Sequence, residues 1–246
     1  MKKIMLLLTA AAFAATSCQQ AGKNTSIVNA DSVRHSMNMS PFSAGSFAGY
    51  FADTIPCADC AGIVMRLSLK SDSTFIMEQE YVGARDTSHR LFYQLGNYTI
   101  VDSTLRLSET TEGPHQFKIT GPGELSILDN EGAIINNTRL KYTIHRQSVV
   151  FAPKGSILVH GMYRYMADAA VLHVCSMDKD FPVGASAVSK QMQEAYGKLR
   201  KAGNEPVFAE LEGSFEQGPS GEEGKTAELF VVKKFIRFTP GEKCRE

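Results

Sequence analysis

The sequence predicts a mainly β protein built as two small antiparallel barrels, the second carrying one helix. Three observations predict it. Short runs of alternating apolar and polar residues recur between residues 46 and 153, with turn residues between them and no segment of helical period. After Pro153-Lys154-Gly155 the pattern changes: about five strand-like runs share the chain with a single amphipathic helix, the inventory of an OB-type barrel. Trp is absent, so both cores rest on Phe, Tyr, Leu, Ile and Val.

In chain order, Lys2 and Lys3 precede an uncharged, mostly apolar run over residues 4–15, and Ala15-Thr16-Ser17-Cys18 closes it with small residues before a cysteine. This is the pattern of a secretory signal, too short to span a bilayer in the mature protein. A cysteine placed there resembles the end of a lipoprotein signal, in which residues 1–17 are removed and Cys18 carries the lipid. Ala15 stands where such signals favour Leu, so this lipobox is relaxed. Two or three acyl chains, at about 0.8 kcal/mol per buried CH2, anchor a chain far more firmly than one. No later apolar run is long enough to cross a membrane. Residues 18–45 are polar and read as a flexible tether. His35, Met37 and Met39 within it are soft-metal ligand types, although ordinary side chains of a disordered tether account for them.

The first barrel is expected over 46–153. A strand over 46–51 opens it. Residues 63–69 alternate, with Ile63, Met65, Leu67 and Leu69 on one face, and residues 70–73 turn the chain into a return strand over 74–81. Further strands are expected at 91–100, 104–109, 116–120, 124–129 and 140–145, a meander that removes its exposed edges by closing on itself. The second barrel, over 154–246, has strands at 157–165 and 169–175, a turn over 176–180 and a lead-on at 181–183. The helix follows, capped by Ser186 or Ser189, with Val188, Met192, Ala195, Tyr196 and Leu199 on one face and Gly203 as the residue beyond its end. A strand at 207–216, a Gly- and Glu-rich loop at 217–225 and a last strand or strand pair at 228–238 complete it.

Charge and cysteines narrow the function. Lys plus Arg and Asp plus Glu are 26 each, so no basic field is present to attract nucleic acid, and an OB-type barrel on a lipid anchor is not expected to bind it. Besides Cys18 the chain has Cys57, Cys60, Cys175 and Cys244, an even number that favours two disulfides in an oxidising compartment. Three pairings exist on paper; local pairing of Cys57 with Cys60 leaves Cys175 for Cys244. The Cys57-Ala58-Asp59-Cys60 pair precedes a strand rather than a helix, and Asp59 sets a negative charge between the sulfurs; both features disfavour the reactive thiolate of an oxidoreductase. Two readings stay open: a structural disulfide, worth only about 2 kcal/mol for so short a loop, and a reduced pair that holds Cu(I) between two thiolates, with Met65 or Met77 as a further thioether unless each is core. Motifs of hydrolytic or phosphate-cradling chemistry are absent from the sequence, the six histidines are scattered singly, and no enzyme is expected. A barrel of this size can also hold a small apolar ligand if its interior is not filled.

Two segments carry a resemblance. Pro56-Cys57-Ala58-Asp59-Cys60-Ala61-Gly62-Ile63 resembles the P-C-A-D-C-x-G-I signature of the NlpE-type outer-membrane lipoproteins, and Tyr81-Val82-Gly83 and Gly96-Asn97-Tyr98 fit the same domain. Later, residues 161–170, Cys175, Phe181-Pro182-Val183, Glu205-Pro206-Val207, Leu211-Glu212-Gly213, Phe235-Ile236-Arg237 and residues 240–244 resemble that family's OB-type domain. The resemblance implies a lipocalin-like first barrel and an outer-membrane anchor facing the periplasm, although Gln19-Gln20 after Cys18 give no clear retention signal. It implies an envelope sensor acting through an inner-membrane sensor kinase, with copper tolerance as a second role. On the same resemblance the Cys175–Cys244 disulfide, worth roughly 4 kcal/mol by loop closure, becomes a candidate redox reporter.

Overall fold

The alternation of residues 63–69 sends Met65, Leu67 and Leu69 to one side of a strand, and that side is the inside of a closed barrel. The computed structural model describes residues 42–85, 90–108, 110, 113–135, 139–199, 205–220 and 224–245. The expected signal over residues 1–17, Cys18, the residues His35, Met37 and Met39 of the expected tether, and Gly203 lie outside them.

Eight antiparallel strands follow one another around the first barrel: β1 (Gly49–Ile55), β2 (Gly62–Leu69), β3 (Thr74–Val82), β4 (Leu91–Val101), β5 (Thr104–Leu107), β6 (Gln116–Gly121), β7 (Glu124–Ile127) and β8 (Thr143–Arg146). Phe51, Met65, Leu67, Phe75, Met77, Leu105, Phe117, Leu125 and Ile144 point inward and are fully buried. Burying each such side chain stabilises the barrel by about 1.5–3 kcal/mol. Tyr98 joins them; burial pushes its phenol up to about 12, and its hydroxyl donates to the Lys70 carbonyl at 2.7 Å. The closing seam is narrow, since β1 and β8 pair only at Phe51↔Arg146 and Ala52↔His145. Arg146 reinforces it by donating to the carbonyls of Phe47 (3.1 Å), Ala48 (2.8 Å) and Pro122 (3.2 Å), with its guanidinium 4.6 Å above the Phe51 ring.

The strand expected over 46–51 is split. One helical turn, α1 (Ala44–Phe47), precedes β1. Ser43 and Ser46 cap it reciprocally, the Ser46 N–H donating to Ser43 Oγ and the Ser43 N–H to Ser46 Oγ at 3.0 Å. The turn places Phe47 against Phe51, ring centroids 5.3 Å apart, as a plug at the barrel end. The strand expected from residue 140 begins at Thr143, and Leu140 is exposed.

The second barrel comprises β9 (Ile157–Met166), β10 (Ala169–Val174), β11 (Lys179–Gly184), β12 (Val207–Pro219) and β13 (Thr226–Thr239), in the spatial order β10-β11-β13-β12-β9 with β9 closing on β10. The β11–β13 pair is parallel and the others are antiparallel. Between β11 and β12 lies α2 (Ser189–Leu199), which buries Met192 and Tyr196 in the core and begins where the Ser186 N–H donates to Ser189 Oγ at 2.9 Å. The expected turn at 176–180 is a 3-10 turn, η1 (Cys175–Met177), followed by Asp178 in the left-handed region and the start of β11. The Gly- and Glu-rich stretch read as loop from residue 217 instead extends the ladder, pairing Gln217↔Glu228, Gly218↔Ala227 and Pro219↔Thr226.

Gly213 sits at a register shift in β12, where an added Cβ would collide with the Val231 carbonyl and lie 2.8 Å from the Phe230 ring. Gly213→Ala is expected to destabilise the second barrel by about 1–3 kcal/mol through overpacking, read as a lowered denaturation midpoint for peptides of β9–β13 in pulsed hydrogen exchange.

Candidate functional site

The loop between β1 and β2 holds the first cysteine pair. Cys57 and Cys60 form a disulfide with Cα atoms 5.4 Å apart, and the Ala61 N–H fixes the loop's exit on the Val82 carbonyl at 2.9 Å. Asp59 is exposed, with Oδ1 3.6 Å from Cys57 Sγ. The ligand atoms of Cys57, Asp59 and Cys60 all lie within 4.8 Å of one another. In the disulfide the sulfurs carry no thiolate, so the oxidised pair does not fit Cu(I); the reduced pair would present two thiolates beside a carboxylate. Met65 and Met77 add nothing here, because both are fully buried in the barrel core. That core is one cluster of buried side chains drawn from all eight strands. In the second barrel a cavity of about 130 Å³ opens beside Tyr165, Asp168 and Gln193, well below the roughly 300 Å³ at which small-molecule sites begin.

The second disulfide joins Cys175, the first residue of η1, to Cys244, 69 positions later and beyond the end of β13. It ties the chain end to the β10–β11 turn. Both cysteines are partly exposed.

A third feature joins the two barrels. Arg66, Glu78 and Tyr93 stand opposite one another on β2, β3 and β4, on the outer face of the first barrel. Glu78 has 0% exposure, yet every neighbour answers its charge: Arg66 Nη1 donates to Oε1 at 2.6 Å, and the Tyr93 hydroxyl (2.7 Å) and the Lys154 N–H (2.8 Å) donate to Oε2. The Gly155 N–H in turn donates to the Tyr93 hydroxyl at 2.7 Å, and Lys154 Nζ pairs with Glu80 at 2.6 Å. The segment between the barrels is thereby stitched to the first one. Burial and the bond to Glu78 push the Tyr93 phenol above its usual range, while the bond from Lys154 holds the Glu80 carboxyl below its own.

Around this network Ile76 and Leu95, pointing outward from β3 and β4, pack into the core cluster of the second barrel. Lys70 pairs with Glu228 of β13 at 2.5 Å and lies 5.0 Å from the Phe215 ring centroid; burial drives its ammonium below the usual range against the pull of Glu228. Lys179 pairs with Asp72, and Asn97 Nδ2 donates to the Met177 carbonyl at 3.1 Å. Burial pushes the Asp72 carboxyl upward, but hydrogen bonds from Lys179 and Thr74 outweigh it and hold it at about 2.

Sequence reasoning placed the cysteines but missed this joint. Its signal is the run Phe75-Ile76-Met77, three consecutive apolar residues in a strand of period 2, which marks a strand buried on both faces. Two histidines read as scattered have acidic partners, His145 with Asp53 and His173 with Asp180, each at 2.8 Å through Nδ1.

Comparison with known proteins follows the same division. The NlpE N-terminal domain family matches residues 51–138, and the NlpE C-terminal OB domain family matches residues 153–245. Lipoprotein NlpE of Escherichia coli (strain K12) is 29% identical over 190 residues, which cover 77% of this chain and 78% of that protein. The crystal structure of the Cpx pathway activator NlpE from Escherichia coli is similar at 26% identity, covering 80% of this chain and 98% of that one with a TM-score of 0.33. A putative lipoprotein from Shewanella oneidensis matches 42% of this chain and 91% of its own at 26% identity and a TM-score of 0.36.

Arg66→Met leaves Glu78 buried without its cation and is expected to cost about 3–5 kcal/mol of stability. A double variant with Glu78→Leu removes the uncompensated charge but leaves the Tyr93 hydroxyl and the Lys154 N–H without their acceptor, so it should recover only part of that loss in chemical denaturation. The Asp72–Lys179 pair gives a pH signature. With its carboxyl lowered from 3.8 to about 2, Asp72 stabilises the fold fully above the higher value and loses that contribution as pH falls toward the lower one. The stability gap between wild type and Asp72→Asn should therefore close across that acid window and stay constant above it.

Proposed function

Because the chain belongs to the NlpE family, we propose that it is a lipid-anchored envelope sensor that signals by protein contact and not by catalysis. In this reading residues 1–17 are a signal, Cys18 carries the lipid, residues 18–45 are the tether, and 46–153 and 154–246 are the two working domains on the periplasmic face of the outer membrane. The partner is an inner-membrane sensor kinase, in line with the name Cpx pathway activator borne by the E. coli relative.

The observation that carries the reading is the Cys175–Cys244 disulfide. It closes a long loop, contributes roughly 4 kcal/mol by the chain-entropy estimate, and is partly exposed. A second barrel whose order depends on one accessible disulfide converts the oxidising state of the compartment into a folding state. In cells carrying an envelope-stress transcriptional reporter, Cys244→Ser is expected to raise the resting signal several-fold over wild type; a resting signal at the wild-type level contradicts the redox role.

The clustering of Cys57, Asp59 and Cys60 favours copper binding as a second reading. That role needs the pair reduced, so it competes with the disulfide between Cys57 and Cys60. Thiol trapping in intact cells with mass mapping decides it. Copper binding calls for a fraction of Cys57 and Cys60 that alkylates without prior reduction, and full protection of both rules the role out under those conditions.

A further inference from the structure

The turn between β9 and β10 is built against the preference of its residues. Met166 pairs with Ala169, so the turn has two residues, Ala167 and Asp168, held at φ 49° and 63°. Asn-Gly ordinarily fills such a turn, and Ala in the left-handed region costs about 1–2 kcal/mol. The arrangement fixes the position of Asp168. Its Oδ1 accepts a hydrogen bond from the Tyr165 hydroxyl at 3.0 Å, and among the described residues no cation pairs with it. Both side chains line the cavity of about 130 Å³ in the second barrel. The floor of that cavity is buried and rigid: Tyr163 is 2% and Met192 1% exposed, and Tyr163 is held by Tyr196 and Phe238 with ring centroids 5.5 and 5.2 Å away. Its rim is open, at Asp168 on the turn and at Ala185 between β11 and α2, both exposed. Among the described residues that line it, Asp168 alone carries a formal charge. Arg164, a basic neighbour in sequence, pairs with Asp180 at 2.9 Å instead.

Size and charge together name the guest. An engineered cavity of about 150 Å³ takes benzene, so one of about 130 Å³ takes the end of a single side chain. A carboxylate beside aromatic rings attracts a cation. Lysine brings a slim four-carbon stem and a compact ammonium, whereas the planar guanidinium of arginine needs a wider, bidentate seat. The start of α2 acts the other way, because Ser189 also lines the cavity and a helix N-terminus favours anions by about 0.3–1 kcal/mol. Part of that field is answered within the chain, since the Ser189 N–H donates to the Ser186 carbonyl at 3.2 Å and the Met192 N–H to the Val188 carbonyl at 3.0 Å. The full charge of Asp168 therefore sets the sign. We propose that this cavity is a docking socket for a lysine side chain of a partner protein, with the ammonium on Asp168 and the stem against Tyr163 and Tyr165. Beside it, Met166 at 57% exposure and the exposed Ala167, Ala169 and Ala185 give the partner's backbone an apolar landing. None of the four cysteines of the two barrels lines the cavity, so the socket goes beyond the sensor reading and stands or falls without it.

The test titrates the full mature chain, by saturation-transfer NMR, with short glycine peptides that carry a central lysine, norleucine or glutamate. The lysine peptide should bind saturably at millimolar concentration or below, about tenfold tighter than the norleucine peptide. Asp168→Asn keeps a residue that tolerates the left-handed region, so the turn survives. It should weaken the lysine peptide about tenfold, to the norleucine level, the scale of one charge-assisted hydrogen bond. Hydroxyl-radical footprinting with the lysine peptide should protect Tyr165 and Met166 and leave Phe92 of the first barrel unchanged. Absence of saturable binding by the lysine peptide overturns the socket, as does an affinity that Asp168→Asn leaves unchanged. A glutamate peptide that binds as tightly as the lysine peptide also overturns it, because the start of α2 then governs the site. So does n-butylammonium binding as tightly as the lysine peptide, which makes the cavity a site for free amines and not for a protein. The reporter response of Cys244→Ser, which tests the sensor reading, moves none of these affinities.

Discussion

A carboxylate without solvent exposure has to be matched by its surroundings or lose its charge, and Glu78 imposes that demand at the middle of this molecule. Its match comes from three places at once: a guanidinium on β2, a phenol on β4 and a backbone N–H from the segment between the barrels. Together they bring β2, β4 and the segment between the barrels to one carboxylate. The buried charge thus fixes where the second barrel begins, and the pairs Lys70–Glu228 and Lys179–Asp72 with the bond from Asn97 to Met177 follow around it.

The two disulfides play unlike parts in this arrangement. Cys57–Cys60 closes a very short loop at the entry to β2 and constrains little beyond its own turn. Cys175–Cys244 closes a long loop, and its near end lies in the turn that meets the first barrel. A change in the second bond therefore has a path to the first barrel through backbone and side-chain contacts. A change in the first is confined to the loop between β1 and β2.

Much of the fold is legible in the sequence because period 2 is a strong signal. Met65, Leu67 and Leu69 alternate and all point inward, and Met192 and Tyr196 mark the buried face of the helix. The departures have local causes. Ser43 and Ser46 form a one-turn helix by capping each other, which apolar periodicity does not register. β12 and β13 extend through a Gly- and Glu-rich stretch because each supplies the other's ladder, so composition there gives way to pairing. The cysteines were legible as types and by spacing. The joint was not, since Arg66 and Glu78 occupy outward positions where charged residues ordinarily meet water, and only the apolar run through Ile76 says that this face is covered.

Backbone ¹⁵N relaxation of the wild-type chain and of Arg66→Met tests most directly whether the barrels move as one body through the joint around Glu78. The account predicts a single rotational correlation time for β1–β8 and β9–β13 in the wild type, and two separate, shorter times in the variant. Separate times already present in the wild type, or one common time that survives in the variant, would contradict it.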